Sequence, residues 1–234
     1  MKLHEAKASV FIDIFRFNTN RFWAFKQMIL GPRAIANVKG LGFYRFLGTG
    51  GGMGFSLRPD FGTYAVLTQW DDPEDYKKFI ATHSYWATYQ RHATQQRTLH
   101  LVPVQSHGKW DQSNPFVSSI IKDLEVGDAP VAIVTRATVN WNRLFSFWRA
   151  VPNAAKSIES ATDVLYYKGI GEWPWVQQAT VSIWKNFDAV NAYAYKNRDH
   201  ADIVQKTRLK KWYKEDLFSR FVVKKDTHFQ PIIV

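Results

Sequence analysis

Apolar and polar positions recur in the same order twice along the chain. Each half opens with a β-rich apolar run, VFIDIFRF from Val10 and VAIVTRATV from Val131. An amphipathic stretch follows, Arg21-Phe22-Trp23-Ala24-Phe25 in one half and Arg143-Leu144-Phe145-Ser146-Phe147 in the other. Next comes an aromatic strand that runs into a Gly-x-Gly turn, Phe43-Tyr44 to Gly48 and Gly50 against Leu165-Tyr166 to Gly169 and Gly171. A strand ending in tryptophan succeeds it, Ala65–Trp70 and Ala179–Trp184. A long helix-like segment then opens at Asp72-Pro73-Glu74 and at Asn186-Phe187-Asp188, where Asp and Asn suit the N-cap. Thr98–Val104 and Phe218–Val223 close the halves as strands.

This order is β-α-β-β-α-β twice, the ferredoxin-like split unit. The fold class is therefore α+β, with two ferredoxin-like (βαββαβ) repeats in one chain. Each such sheet has helices on one face only. Two copies can close their free faces on each other, giving a dimeric-α/β-barrel-like architecture with room between sheet and helices for a flat ligand. The polar segment Ser113–Ala129 reads as the linker, ending in a Gly127-Asp128-Ala129-Pro130 turn. The expected units are residues 1–120 and 121–234.

Composition narrows the chemistry. The 234 residues contain no cysteine, which excludes disulfides, thiolate metal sites, thiolate-ligated haem and a cysteine nucleophile. Formal net charge is +11, and aromatics reach 16% with ten Trp. A basic, aromatic-rich surface suits nucleic acid, an anionic membrane face or an anionic cofactor, and also describes an ordinary soluble protein with solvated Lys and Arg. No apolar run is long enough to span a bilayer, and the N-terminus lacks the apolar stretch of a signal peptide, so a cytoplasmic location is expected.

Several motifs carry less than they promise. GTGGGMG from Gly48 lacks the Gly-Lys-Ser/Thr of a phosphate loop and precedes a strand, so it reads as a hairpin turn. KGLGFYRF, Lys39–Phe46, approaches the base-stacking signature of RNA-recognition domains, yet Leu41 stands where an aromatic belongs and the segment is strand two. No nucleophile–base arrangement is visible, and Asp71-Asp72 and Glu215-Asp216 are expected at turn and helix ends. Among seven histidines none shows a zinc-site spacing. His200 is the one to weigh. Tyr193, Asn197, His200 and Val204 share one helical face, and the repeat puts His200 in the place of Trp86. A buried imidazole without a partner is costly, and a haem iron would partner it. A surface or capped histidine is the other reading.

The chain resembles the spheroidene monooxygenase family, the acyclic carotenoid 2-ketolases, from about Phe11 to Val223. The resemblance rests on Phe15–Met28, GLGFYRFLGTGGGMGF (Gly40–Phe55) and YAVLTQW (Tyr64–Trp70) in the first half. In the second it rests on TRATV (Thr135–Val139), KGIGEWPWVQQATVSIW (Lys168–Trp184) and HADIVQKTRLKKWYKEDLFSRF (His200–Phe221), with mild departures at Lys214, Asp216, Phe218 and Ser219. It implies a monooxygenase that uses haem b, O₂ and reduced ferredoxin to oxidise a methylene near the end of an acyclic carotenoid to alcohol and ketone. It implies His200 as the iron ligand. Gln178 and Arg16 are candidate polar groups opposite it, and Arg208, eight residues after His200, is a candidate partner for a haem propionate. Trp173, Trp175 and Trp212, with Lys206, Lys210, Lys211 and Lys214, are candidates for peripheral membrane contact. Nucleic acid is not an expected partner. The alternatives are another haem enzyme on the same barrel, aldoxime-dehydratase-like or haem-degrading, and a non-enzymatic RNA- or ligand-binding protein.

Overall fold

The computed structural model describes residue 3 and residues 9–52, 58–159, 161–196 and 210–232, with the side chains of 152–157 and 195–196 outside that description. The strands are β1 (Ser9–Arg16), β2 (Leu41–Gly50), β3 (Pro59–Trp70), β4 (Gln95–Gly108), β5 (Val131–Val139), β6 (Val164–Trp173), β7 (Gln177–Trp184), β8 (Tyr213–Asp226) and the short β9 (Gln230–Pro231). The helices are α1 (Arg21–Ile35), α2 (Pro73–Thr82), α3 (Ser84–His92), α4 (Leu144–Glu159) and α5 (Phe187–Lys196). Strand order is β1-β3-β2-β6-β7-β5-β8-β4, and β4 pairs back onto β1, so eight antiparallel strands close a barrel. The two repeats contribute four strands each, as the duplicated pattern predicts.

The strands are buried on both faces, and this explains why β1 reads as a continuous apolar run. Val10, Ile12 and Ile14 point into the barrel with Leu67, Leu99, Leu101, Val134, Val181 and Phe221. Phe11 and Phe15 point outward, under the helices. Among the described residues the barrel interior is therefore packed with side chains. Sequence reading missed part of that packing. Trp110 and Phe116, on the segment after β4, are fully buried in the barrel core, so the connection is not merely a polar linker.

Two seams join the repeats. The β4–β8 seam runs from Leu99↔Asp226 to Gly108↔Leu217, whereas β2–β6 meets only at Gly48↔Gly171 and Thr49↔Ile170. The Gly-x-Gly segments thus lie in strands at this seam and not in turns. A Cβ on Gly171 would stand 2.7 Å from the Gln177 carbonyl oxygen, so the close approach excludes a side chain there. Buried arginines close both barrel ends. Arg97 makes a bidentate pair with Asp226 (2.9 and 2.6 Å) beneath the Tyr166 ring. At the other end Arg136 pairs with Glu215, and Arg45 with Asp111 and Glu172. Glu215 also accepts the Asp111 and Gln112 amides. It is thus a strand residue in an ion-pair network, not a solvated helix-end acid.

Asp72 caps α2 by accepting from the Glu74 amide at 2.8 Å, with Pro73 in the first turn. Asn186 accepts the Ala189 amide at 3.0 Å at the start of α5. The helix expected after Asp72 is two helices, because His83 takes an extended conformation between α2 and α3. No glycine or proline marks this break, so the sequence carries no signal for it.

In the first repeat the space between sheet and helices is filled. Phe15 meets Trp86 and Tyr89 edge-on at 5.4 and 4.8 Å, and Tyr76 stacks on Phe11 at 3.5 Å. Asp13 is buried there among Tyr76, Gln96 and Thr98. Burial pushes its carboxyl up to about 6, against the pull of those hydrogen bonds. Burial lowers the nearby His100 to about 4, helped by Lys224, Lys77 and Lys225. The two act oppositely on acidification. As pH falls, Asp13 takes up its proton more readily in the folded chain and adds stability, whereas His100 resists protonation and stability is lost. Asp13→Asn removes only the first effect. Its melting temperature should fall more steeply than the parent's between pH 7 and pH 4, a difference of about 2–3 kcal/mol at the acid end. Parallel melting curves across that range would refute the assignment.

Candidate functional site

The second repeat has the same strand register with smaller side chains. Ser9↔Trp70 in the first repeat corresponds to Val131↔Trp184 in the second, which equates Phe11 with Ile133, Asp13 with Thr135 and Phe15 with Ala137. The pairings of β2 with β3 and of β6 with β7 equate Phe46 with Gly169, Val66 with Thr180 and Tyr64 with Gln178. Large rings are thus replaced by Ala, Gly and Gln along one face. The result is a cavity of about 470 Å³ between this sheet and α4 and α5, within the range of small-molecule sites.

The cavity floor has three cross-strand rows. One holds Arg220, Ile133, Ser182 and Tyr167, the next Phe218, Thr135, Thr180 and Gly169, and the last Asp216, Ala137 and Gln178. Thr135 and Thr180 share a hydrogen bond between their hydroxyls at 2.6 Å, satisfying both without a charge. Phe147, Val151, Trp184, Val190, Tyr193 and Trp212 supply the apolar walls. Among the described residues the helix-side core of this repeat forms two clusters, one around Trp184 and Val190 and one around Phe147 and Trp212. A second depression of about 330 Å³, between α1 and α2, is lined mainly by Arg33, Asn37, Lys39, Asp75 and Lys78. It is a polar surface dent without the enclosing walls of the larger cavity.

Gln178 lines the cavity, with its amide donating to the Trp173 carbonyl at 3.4 Å. Tyr193 lines it as well. Arg16 does not. It is exposed on the first repeat, donating to Gln95 at 2.9 Å and stacked on Phe229 at 3.8 Å, so the structure does not bring it to Gln178. His200 and Arg208 lie outside the described residues, as does the face through Asn197 and Val204. Trp212 is 1% exposed, with its indole donating to Ser146. It is a cavity wall and leaves the candidate membrane face, where Trp173 (62%) and Trp175 (51%) stay exposed. The aromatics of KGLGFYRF are not a stacking platform: Phe46 is buried under the helices, and Phe43 packs edge-on to Trp110 at 5.5 Å inside the barrel.

Sequence reading missed Ala137, Gly169, Thr180 and Arg220. A residue-by-residue size comparison of the two repeats would have found the first three. Arg220 is the cation of the lining that has no carboxylate partner among the described residues, and its Nε is buried without a hydrogen bond. Among the described residues no group of His, Cys, Asp and Glu could hold a metal by itself. What the cavity offers is a cradle for a flat, mostly apolar group with an acidic edge: small floor residues, aromatic walls and one unneutralised guanidinium.

A closed antiparallel barrel of two ferredoxin-like repeats, with a ligand-sized cavity under the helices of the second, defines a dimeric-α/β-barrel-type protein within one chain. Among solved structures an aldoxime dehydratase is similar at a TM-score of 0.62 and 9% identity, over 95% of this chain and 83% of that one, a likeness of fold alone. No protein-family model matches. The spheroidene monooxygenase of Rhodobacter capsulatus is 30% identical over 212 residues, 90% of this chain and 88% of that protein. That of Cereibacter sphaeroides is 30% identical over 218 residues, 92% of this chain and 66% of that protein. The chain belongs to the spheroidene monooxygenase family.

Ala137→Phe restores the residue that fills the first repeat. It should leave the circular dichroism spectrum unchanged, shift stability by no more than about 1–3 kcal/mol, and remove most of the fluorescence of the apolar dye ANS bound to the native protein. Undiminished dye binding would mean that the cavity is not the apolar site.

Proposed function

We propose that this protein is a haem-dependent monooxygenase that oxidises a methylene near the end of an acyclic carotenoid, first to an alcohol and then to a ketone. Each round consumes one O₂, two protons from solvent and two electrons from reduced ferredoxin, inserts one oxygen atom and releases the other as water; the geminal diol of the second round loses a further water to give the ketone. The observation that carries the reading is the cavity itself, hollowed at the positions where the first repeat holds Phe15, Phe46 and Tyr64. The names of the two bacterial relatives supply the substrate class and reaction.

The lining fits haem. Its floor is small, its walls are aromatic, and the orphaned Arg220 Nε stands ready for an acidic edge. When bound, haem supplies redox-active iron for the activation of O₂. His200, seven residues after the wall residue Tyr193, is the imidazole assigned to that iron, and Arg208 is assigned to a propionate. Gln178 presents its amide from the floor row farthest from Arg220 and is the polar group assigned to the reacting end. The apolar walls exclude water from it and hold the polyene. Arg16, tied to Gln95 and Phe229, takes no part at the reacting atoms in this reading.

The decisive experiment is expression with adequate haem supply. The protein should show a Soret band that shifts with CO after reduction, and should convert an acyclic carotenoid to its ketone with O₂ and reduced ferredoxin. His200→Ala should lose the band. A protein that stays colourless on haem titration would overturn the reading, and an unchanged ferric spectrum in His200→Ala would remove that residue from the iron.

The polyene has to be taken from a membrane, and two exposed faces suit a peripheral contact. One is Trp173 and Trp175. The other is α1, where Phe22, Phe25, Ile29 and Leu30 are exposed beside Phe61, and Arg21, Lys26 and Arg33 are the helix's charged residues, with no acid among them. Such a face meets an anionic bilayer with matched charge, at about 1 kcal/mol per cation near the surface. Among the described residues no helix is long and apolar enough to cross the bilayer. Co-flotation with vesicles should require anionic lipid and should be largely lost in the double variant Phe22→Ser with Phe25→Ser. Flotation indifferent to both would reject this contact.

A further inference from the structure

We infer that Arg220 is the carboxylate anchor of the second-repeat cavity and fixes which end of a bound planar ligand lies deepest along β8. In haem terms it takes a propionate, and to that extent the inference rests on the haem reading above.

Arg220 stands on β8 opposite Ile133 of β5 and Gln105 of β4, on the face that lines the cavity. Its Nε is buried and makes no hydrogen bond. Its guanidinium has one ring contact among the described residues, Phe218, at 5.5 Å. The other arginines embedded in this barrel are neutralised locally: Arg97 by Asp226, Arg45 by Asp111 and Glu172, Arg136 by Glu215. Arg136 also has an unpartnered Nε, but its terminal nitrogens already hold carboxylates. Arg220 has none.

The repeat shows what has changed at this position. Phe11↔His100 in the first repeat corresponds to Ile133↔Arg220 in the second. His100 is satisfied there. It shares a hydrogen bond with the Ser9 hydroxyl at 2.8 Å and stacks on Phe11 at 4.3 Å. The second repeat has Val131 and Ile133 in place of Ser9 and Phe11. A neutral, satisfied ring has given way to a permanent cation, and both of its neighbours have become aliphatic. A partly buried guanidinium without an acceptor is costly, so its natural complement is an anion supplied by the ligand. A carboxylate fits the planar fork with two parallel hydrogen bonds.

The acid of the described lining, Asp216, stands at the far end of the floor. It lies four residue steps along β8 from Arg220, about 13 Å at the rise of a β-strand. The cavity is therefore polarised along β8, cationic at the Arg220 row and polar to anionic at the Gln178 and Asp216 row. A ligand with carboxylates on one edge enters in one orientation, with its acid-free edge toward Gln178.

The test compares haemin with haemin dimethyl ester, which keeps the ring and iron but has no free carboxylate. Both are titrated optically into the full chain and into Arg220→Gln and Arg220→Lys. The parent should bind haemin about tenfold or more tightly than the diester. Arg220→Gln should lose most of that preference, keeping only the part that Arg208 supplies through the other propionate. Arg220→Lys, with the charge but without the fork, should fall between. A parent that does not distinguish the two ligands overturns the inference even if Arg220→Gln fails to fold. So does an Arg220→Gln variant that keeps the parent's preference. In both cases haem still binds and the haem reading stands. If the parent binds neither ligand, both fall together.

Discussion

Every strand of this barrel has to present two buried faces at once, and the rest of the structure depends on that constraint. The inner face is shared between the repeats. Val10, Ile12 and Ile14 from one meet Val134, Val181 and Phe221 from the other in a single packed interior. A change of size there disturbs both halves, because the interior is close-packed and the seams fix the register of all eight strands. The outer face belongs mainly to one repeat, with His107 of β4 at the edge of the second-repeat cavity and Ile232 at the edge of the first-repeat cluster. Most of its residues pack against that repeat's own helices, so they can shrink or grow with little effect on the other half. A ligand cavity can therefore open only on the outer side, and in one repeat without the other.

The two repeats have divided accordingly. In the first, Phe11, Phe15, Phe46, Tyr64, Trp86 and Tyr89 form one continuous aromatic cluster under α1–α3. In the second, the corresponding cluster is broken in two by the cavity. Cutting a buried Phe to Ala in a packed core costs about 3–5 kcal/mol, so the equivalents of Phe15 and Phe46 together correspond to much of an ordinary domain's stability. The second repeat tolerates this because its sheet is held by what it shares with the first. The long β4–β8 seam, the common interior, and the Arg97–Asp226 and Arg45–Glu172 ion pairs at the barrel ends all join second-repeat strands to first-repeat ones. The first repeat acts as the scaffold on which the second can remain hollow.

Much of this was legible in the sequence, for a physical reason. Strands buried on both faces give unbroken apolar runs, and two copies of one pattern reinforce each other, so the β-α-β-β-α-β order stood out. The caps at Asp72 and Asn186 were legible because a single side chain does the work locally. What escaped depends on long-range partners. Nothing local marks Phe116 as a barrel plug, Glu215 as the acceptor for Arg136, or His83 as a helix break. The cavity floor escaped because absence leaves no motif: Ala137 and Gly169 are unremarkable until set beside Phe15 and Phe46. Gln178 was chosen for its polarity and does line the cavity. Arg16 was chosen on the same ground, yet it stands on the filled repeat, where Phe15 and Trp86 occupy the equivalent space.

The net charge of +11 also changes meaning once its carriers are placed. Read along the chain, it suited nucleic acid as well as a membrane or an anionic cofactor. The structure spends Arg45, Arg97 and Arg136 on carboxylates at the barrel ends, and Lys168 reaches the Gly52 carbonyl at 2.8 Å with Asp60 nearby. These cations hold the repeats together and are not available to a phosphate backbone. The aromatics that would stack bases on β2 are inside the barrel or under the helices. Two cationic features bear on the proposed function, and they differ in kind. One is a helix face, α1, with its cations interleaved with exposed rings and facing solvent. The other is a single guanidinium on a cavity lining, partly screened from water, where a lower dielectric makes each interaction count for more. A spread of exposed cations favours a broad anionic surface, whereas one enclosed fork favours one carboxylate. In the proposed function the same excess charge serves two unlike partners, and burial, not amount, decides which.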